Sequence, residues 1–240
     1  KLKKFQALKN FLKNDGQNSN QTNYTYYGRN RSKVLLFEIK KSRQVQKRYS
    51  FINKNLGRSI PQNKKFVYYP LHIEQERNLL LAAPFFTNQI ELIRNIAKSL
   101  PINYKLLVKE HPAQETREWR NISDYKEIMK ISNVILIHPT VPSQKILEKC
   151  SLVVTIGGTT GLEAAFYRKP SIILSEMDYS ILPSVELVQD VHKLSNKIKE
   201  SLEKEVNAND LDRFIQIYEK NSFDFDYMDF ITKYHESFYF

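Results

Sequence analysis

Two clusters of residues in this chain have types and spacing that could do chemistry. The first is Gly157-Gly158-Thr159-Thr160-Gly161-Leu162-Glu163, which follows the apolar and β-branched run Leu152-Val153-Val154-Thr155-Ile156. A strand, a Gly/Thr turn and an amphipathic run present backbone N–H groups and hydroxyls to an anion at a helix N-terminus. Gly157 and Gly158 permit a positive φ and close approach of a ligand to the backbone. Thr159 and Thr160 offer hydroxyls where the helix dipole favours negative charge. Glu163 stands about one turn further in. A carboxylate there would repel a phosphate, but it can accept hydrogen bonds from the hydroxyls of a ribose. A tight strand-to-helix turn with a solvated first-turn acid fits the same residues, and sequence alone leaves both readings open. There is no Gly-x-Gly-x-x-Gly after the first strand and no Gly-x-x-x-x-Gly-Lys-Ser/Thr, which argues against NAD, FAD and a P-loop.

The second cluster is Lys109-Glu110-His111-Pro112, at the end of the apolar run Lys105–Val108. His111 can hydrogen-bond a phosphate or, protonated, neutralise it; Lys109 adds charge; Glu110 can orient either of them. Pro112 fixes the chain just past the strand. An ordinary charged surface loop is the competing reading. A weaker candidate is Pro70-Leu71-His72-Ile73-Glu74-Gln75-Glu76, where His72 or Glu74 could face a sugar. His138-Pro139 repeats the His-Pro pattern of His111-Pro112. No metal site is expected, because no close His/Cys/Asp spacing is present. No Ser-His-Asp arrangement can be defended.

The elements that must position these residues alternate from Phe66 onward. Strands are expected at Phe66–Leu71, Lys105–Val108, Asn133–Pro139, Leu152–Ile156 and Pro170–Leu174. Helices are expected at Asn88–Leu100 with Thr87 as cap, at Trp119–Lys130, at Gln144–Lys149 with Ser143 as cap, and from Thr160 to Tyr167. Further helical candidates are Val185–Val191, Leu194–Val206 and Leu211–Asn221, the last capped by Asn209 or Asp210. The fold class is therefore α/β: a Rossmann-like, doubly wound parallel sheet whose strand ends converge on one crevice. Ahead of it, Lys1–Lys13 has helical spacing, 14–31 is a polar connector, Val34–Ile39 reads as a short strand and Gln44–Leu56 as a helix. The expected division is a basic polar linker over 1–65, a Rossmann-like domain over 66–222 and an aromatic helix over 223–240.

Composition bounds the function. The chain has 240 residues, is 41% hydrophobic and holds one cysteine, Cys150. No disulfide framework is possible, a reducing compartment is expected, and Cys150 reads as a small buried apolar side chain. No apolar run reaches the roughly 18 residues of a membrane span. Residues 1–65 hold 12 Lys and 5 Arg against Asp15 and Glu38, a net +15, while the remainder carries −4. A nucleic-acid-binding domain would not divide its charge this way. A basic flank fits an anionic membrane surface, or a solvated linker.

The motifs Phe66-Val-Tyr-Tyr-Pro-Leu-His72, Val108-Lys-Glu-His-Pro112, Asn133-Val-Ile-Leu-Ile-His-Pro139, Val154-Thr-Ile-Gly-Gly-Thr-Thr-Gly-Leu-Glu-Ala164 and Arg168-Lys-Pro-Ser-Ile-Ile-Leu174 together resemble bacterial capsule and surface-polysaccharide biosynthesis proteins. These are similar to the Kdo transferases of capsule assembly, which have a GT-B architecture. The resemblance covers about residues 66–185 and corresponds to the carboxyl-terminal, nucleotide-sugar half of such enzymes. It implies a glycosyltransferase that uses a CMP-linked acid such as CMP-Kdo, with no separate cofactor. His111 would contact the donor phosphate, as the His-Pro motif of bacterial sialyltransferases does, and would be the catalytic residue. Lys109, Glu110, Pro112, Gly157, Gly158, Thr159 and Thr160 would assist there. Glu163 would hold the ribose, and His138, Pro139 and Thr140 would lie near the base. The partners implied are the donor, a glycan or glycolipid acceptor and an amino-terminal GT-B half in the same or another chain. A cytoplasmic place at the inner face of the membrane follows. Residues 1–65 are too few and too polar to be that half, so the chain is expected to be a fragment or to work with a second polypeptide, and no catalytic base is named. A CDP-glycerol-type glycerophosphotransferase, a UDP-sugar epimerase-like enzyme and a non-catalytic docking module remain open alternatives.

Overall fold

The computed structural model describes residues 31–73, 78–115 and 120–226. Glu74, Glu76, Trp119 and most of the expected aromatic helix lie outside the described residues. Residues 223–226 are not helical.

The first described element, α1 (Arg31–Asn55), is one continuous helix. It replaces the short strand expected at Val34–Ile39. Nothing from Arg31 to Asn55 breaks a helix: there is no Gly or Pro. Leu36, Phe37 and Ile39 remain exposed. The end of α1 behaves differently. Ile52 and the following Leu56 are buried among core residues of the sheet, and Gly57 bridges to Ile137. Burying an aliphatic side chain is worth roughly 1.5–3 kcal/mol, so this end is fastened to the sheet.

The sheet comprises β1 (Lys65–Pro70), β2 (Tyr104–Lys109), β3 (Val134–Ile137), β4 (Leu152–Thr155), β5 (Ser171–Ile173) and β6 (Val185–Leu187). All pairings are parallel, in the order β3-β2-β1-β4-β5-β6. This is a Rossmann-like, doubly wound sheet. β6 corrects the helix expected at Val185–Val191: Val185, Glu186 and Leu187 pair with Ser171, Ile172 and Ile173 as an edge strand.

The helices are α2 (Gln89–Ser99), α3 (Ile122–Met129), α4 (Ser143–Leu147), α5 (Thr160–Phe166), α6 (Leu194–Leu202) and α7 (Ala208–Lys220). Three caps differ from expectation. Asn88, not Thr87, accepts the Glu91 N–H of α2; Asn207 caps α7; Ser143 is the first residue of α4 rather than its cap. α5 ends with Arg168 at φ 54. Its N–H bonds the Ala165 carbonyl and that of Lys169 bonds Ala164, a Schellman closure with arginine where glycine is usual.

Side-chain alternation along the strands gives the sheet two apolar faces. Val67, Tyr69, Leu106, Val108, Leu152 and Val154 pack with α2, α3 and α6. Phe66, Tyr68, Leu107, Ile137 and Val153 pack with Ile146 and Leu147 of α4 and Ala164 of α5. From β1 the chain steps outward to β2 and β3, then returns to β4 on the other side of β1. The strand order therefore reverses between β1 and β4, where a crevice opens at the carboxyl ends of such sheets.

Candidate functional site

Three strand ends meet at the β1/β4 reversal. β1 brings His72, β2 brings Lys109–His111, and β4 brings the Gly157–Gly158 turn.

His72 is buried, and its ring is held from the β4 side. Its Nε2 accepts the Ile156 N–H at 3.3 Å and lies 2.9 Å from Thr155 Oγ1. The Gly158 N–H donates to that same Oγ1 at 3.3 Å. An Nε2 that accepts a backbone N–H carries no proton, so the imidazole is the neutral Nδ1–H tautomer and the Thr155 hydroxyl donates to it. Burial lowers the His72 pKa to about 4, with His111 and Arg120 pushing the same way. The main chain of His72 is also tied: its N–H and C=O bond the Gln89 side-chain amide at 2.8 and 3.0 Å.

The glycine turn is explained by contact rather than by dihedral. Neither Gly157 nor Gly158 has a left-handed φ, contrary to the expectation of a positive φ. A Cβ on Gly158 would meet His72 Cε1 at 3.0 Å, and one on Gly161 would meet the Tyr179 hydroxyl at 2.7 Å. Tyr179 donates to the Gly158 carbonyl. The glycines admit a histidine and a tyrosine against the backbone. The Thr159 hydroxyl, expected to face a phosphate, instead donates to Glu163 Oε1 at 2.8 Å. Thr160 opens α5 and is half-buried.

Lys109 and Glu110 alternate to opposite faces of the sheet, and both are buried. Lys109 Nζ donates to Ser143 Oγ at 2.7 Å. Burial lowers its pKa, and the Glu163 carboxylate acts in the opposite direction. Glu110 receives Arg120 Nε at 2.9 Å, the Tyr125 hydroxyl at 3.0 Å and the His111 N–H at 3.0 Å. Burial pushes its pKa up, and these donors push it down; convergence of three donors is the geometry of an ionised carboxylate. Arg120 also donates to the His72 carbonyl. Glu110 therefore does not face a ligand, as the sequence suggested it might; it fastens the His72 and His111 loops together. His111 is exposed, and its Nδ1 accepts the Ala113 N–H at 3.2 Å. That leaves Nε2 as the ring nitrogen that can donate. Pro112 opens a short helical turn, Pro112–Glu115.

His138 follows Ile137, the β3 partner of Lys109. Its Nδ1 is 2.7 Å from Thr140 Oγ1 and its Nε2 is 3.3 Å from the Arg58 guanidinium. With Pro112, Pro139, Tyr49 and Asn53 these residues line a cavity of about 140 Å³ beside α1. Cys150 is buried, which pushes its thiol pKa up to about 12 and leaves it without nucleophilic character at neutral pH. Among the described residues no group of His, Cys, Asp and Glu could hold a metal ion.

Sequence reasoning missed Tyr68, Thr155, Arg120 and Tyr179. Thr155 and Tyr179 flank the glycine turn and could have been found as its hydrogen-bonding neighbours. Arg120 carries no local signal, since its partner Glu110 is reached only through the fold.

The profile of capsule polysaccharide biosynthesis proteins matches residues 5–216. No curated protein sequence matches the chain. Among solved structures, a beta Kdo 2,7 transferase, KpsC from Thermosulfurimonas dismutans, is similar at 16% identity and a TM-score of 0.43, over 65% of this chain and 51% of that one. The UDP-GlcNAc 2-epimerase from Neisseria meningitidis bound to UDP-GlcNAc is similar at 19% identity and a TM-score of 0.46, over 79% of this chain and 51% of that one. A UDP-N-acetylglucosamine 2-epimerase from Listeria monocytogenes is similar at 22% identity and a TM-score of 0.42, over 69% and 41%. The chain thus spans about half the length of these structures or less.

Proposed function

This chain belongs to the capsule polysaccharide biosynthesis protein family, and from that membership we propose that it is the donor-binding part of a glycosyltransferase. The substrate is a nucleotide sugar, in our reading a CMP-linked acid such as CMP-Kdo. The acceptor is a glycan or glycolipid. One observation carries the reading: Lys109, His111, His72 and the Gly157–Glu163 turn, from three different strand ends, converge at the reversal of a doubly wound sheet. There a nucleotide phosphate finds N–H donors and positive charge, and a ribose finds a carboxylate.

In this reading His111 Nε2–H donates to the phosphate that leaves as the glycosidic bond breaks, stabilising the charge that develops on it. Glu110 and Arg120 hold the His111 backbone in place. Thr160 and the glycine turn line the phosphate side, and Glu163 lines the ribose side. An amino-terminal half, in the same or another polypeptide, would supply the acceptor site and the base. The basic α1 would face an anionic membrane surface on the cytoplasmic side. Among the described residues no helix is long and apolar enough to cross a membrane.

Isothermal titration of CMP, UMP, CDP and UDP against the wild-type chain and His111→Ala tests the assignment. Loss of one charge-assisted hydrogen bond should weaken binding by roughly tenfold to a hundredfold. If no nucleotide binds the wild-type chain, the reading is wrong; if His111→Ala binds as tightly as wild type, His111 has no place at the phosphate.

A further inference from the structure

The strands all pair in parallel, so they all begin on one edge of the sheet, the edge opposite the crevice. That edge is basic and apolar at once. The turn between α2 and β2 carries Ile102, which is fully exposed. Met129, the last residue of α3 before the chain enters β3, is exposed as well. Lysines stand around them: Lys64 and Lys65 where β1 begins, Lys98 in the last turn of α2, Lys105 near the start of β2 and Lys130 just past α3. Among the described residues none of these five lysines forms an ion pair. Lys105 Nζ donates to the Ser132 carbonyl at 3.3 Å, and Lys65 lies over the Tyr104 ring. The Glu91 and Glu127 carboxylates nearby are both taken by Arg94. An open groove of about 530 Å³ runs between α2, the Ile102 turn and the start of β3, with Leu100, Pro101, Tyr104 and Ile131 in its apolar lining.

Cations at the carboxyl ends of helices offset the negative end of the helix dipole, which accounts for Lys98 and Lys130. It does not account for Lys64, Lys65 and Lys105, which open strands, or for an isoleucine left in water among them. The same character continues past β1. Lys149 precedes β4, and Arg168 and Lys169 precede β5 just after the exposed Phe166. Glu148 and, after α6, Glu203 and Glu205 are the carboxylates that interrupt it. An occupant of this edge has to supply negative charge over a broad surface and an apolar place for Ile102. An anionic bilayer supplies both, through its headgroups and its acyl boundary. A soluble polyanion supplies only the first.

We infer that the amino edge of the sheet is the surface on which this chain lies against an anionic lipid bilayer, with Ile102 entering the interface and Lys64, Lys65, Lys98, Lys105 and Lys130 on the headgroups. The inference rests on the membrane-facing reading above and moves the contact from α1 to the opposite edge. The end of α1 stands at the carboxyl edge: Arg48 donates to Asn121, ahead of α3, at 2.8 Å, and Tyr49 and Asn53 line the His138 cavity. β1 is 6 residues long, so at about 3.3 Å per residue the two edges are roughly 20 Å apart. The crevice then opens away from the bilayer.

The test is co-sedimentation of the full chain with vesicles of phosphatidylcholine alone and of phosphatidylcholine with phosphatidylserine. The variants are the triple Lys64→Gln, Lys98→Gln, Lys130→Gln, the single Ile102→Ser, and an α1 triple, Lys40→Gln, Arg43→Gln, Lys47→Gln. All seven side chains are exposed, and the melting temperature of each variant serves as the folding control. Wild type should bind the phosphatidylserine vesicles and not the neutral ones. The edge triple should weaken that binding by roughly a hundredfold, since each cation near an anionic surface is worth several-fold. Ile102→Ser should weaken it by roughly tenfold, and the α1 triple should bind as wild type does. An edge triple that binds as tightly as wild type overturns the inference, and loss of binding in the α1 triple instead leaves the membrane-facing reading intact. If Ile102→Ser binds the vesicles as wild type does and heparin binds as tightly as they do, the edge takes a soluble polyanion and the bilayer assignment falls. A wild-type chain that ignores both kinds of vesicle overturns the inference and the membrane-facing reading together.

Discussion

Lys109 and Glu110 are consecutive, both charged and both buried, yet the fold treats them in opposite ways. Glu110 turns to the face covered by α2 and α3, where Arg120, Tyr125 and the His111 N–H occupy its oxygens. Lys109 turns to the face covered by α4 and α5, where one serine hydroxyl meets it. A buried charge with several partners is fixed in place, and removing a partner leaves the other charge stranded. A buried charge with one neutral partner has bonding capacity left over, and it is held at the cost of its desolvation. The first arrangement builds the site; the second leaves the ammonium with donors to spare among the described residues. Alternation along a single strand separates the two roles across the thickness of the sheet.

The largest effect should come from breaking the satisfied side. Arg120→Met strands Glu110 and frees the His72 carbonyl, and should cost about 3–5 kcal/mol. Thermal unfolding should show a fall of roughly 10 °C. A change of only a degree or two would mean that the Glu110 cluster is not the anchor described here.

The next effect is pH-dependent and also belongs to that side. Burial lowers the His72 pKa from 6.5 to about 4, so the unfolded chain binds the proton more readily than the folded one between those values. The stability from a neutral His72 is therefore complete above the unfolded pKa and is lost as pH falls through the folded pKa, amounting to about 3 kcal/mol across the window. His72→Gln should show a shallower loss of stability from pH 7 to pH 4 than wild type in parallel denaturant titrations. Identical slopes would contradict a neutral, buried imidazole.

The smallest effect sharpens the contrast. Lys109→Met replaces an under-bonded ammonium by an apolar side chain of similar length. Stability should stay within about 1 kcal/mol of wild type or rise slightly. A destabilisation as large as that of Arg120→Met would show that Lys109 is as structural as Glu110.

Much of this could be read along the chain. β1 to β5 were visible as short apolar runs ended by polar residues, and the helices between them as periodic stripes. That was enough to reach a doubly wound sheet and to choose strand ends as the place to look. The edge strand Val185–Leu187 was not visible, because three residues of strand and the start of a helix look alike until a neighbour such as β5 supplies hydrogen bonds. The strand expected at Val34–Ile39 failed because nothing from Arg31 to Asn55 breaks a helix. The roles within the site were less legible than its location. Glu110 looked like a ligand group because its partner Arg120 is brought in by the path of the loop, not by a spacing rule. The Gly157–Gly158 turn looked like a dihedral requirement, and it turned out to be room for the His72 ring.

The sequence by itself determined the alternation of strands and helices, the division of charge between the two ends, and which residues stand at strand ends. Those are local properties, set by periodicity, turn chemistry and composition. Tertiary packing settled that, among the described residues, Lys109 has one hydrogen-bond partner while Glu110 has several, that His72 is a neutral imidazole pinned from β4, and that His138 shares a cavity beside α1 with Pro112. The reason is physical: satisfaction and burial of a polar group depend on atoms many residues away, and no pattern within one strand or helix can specify them.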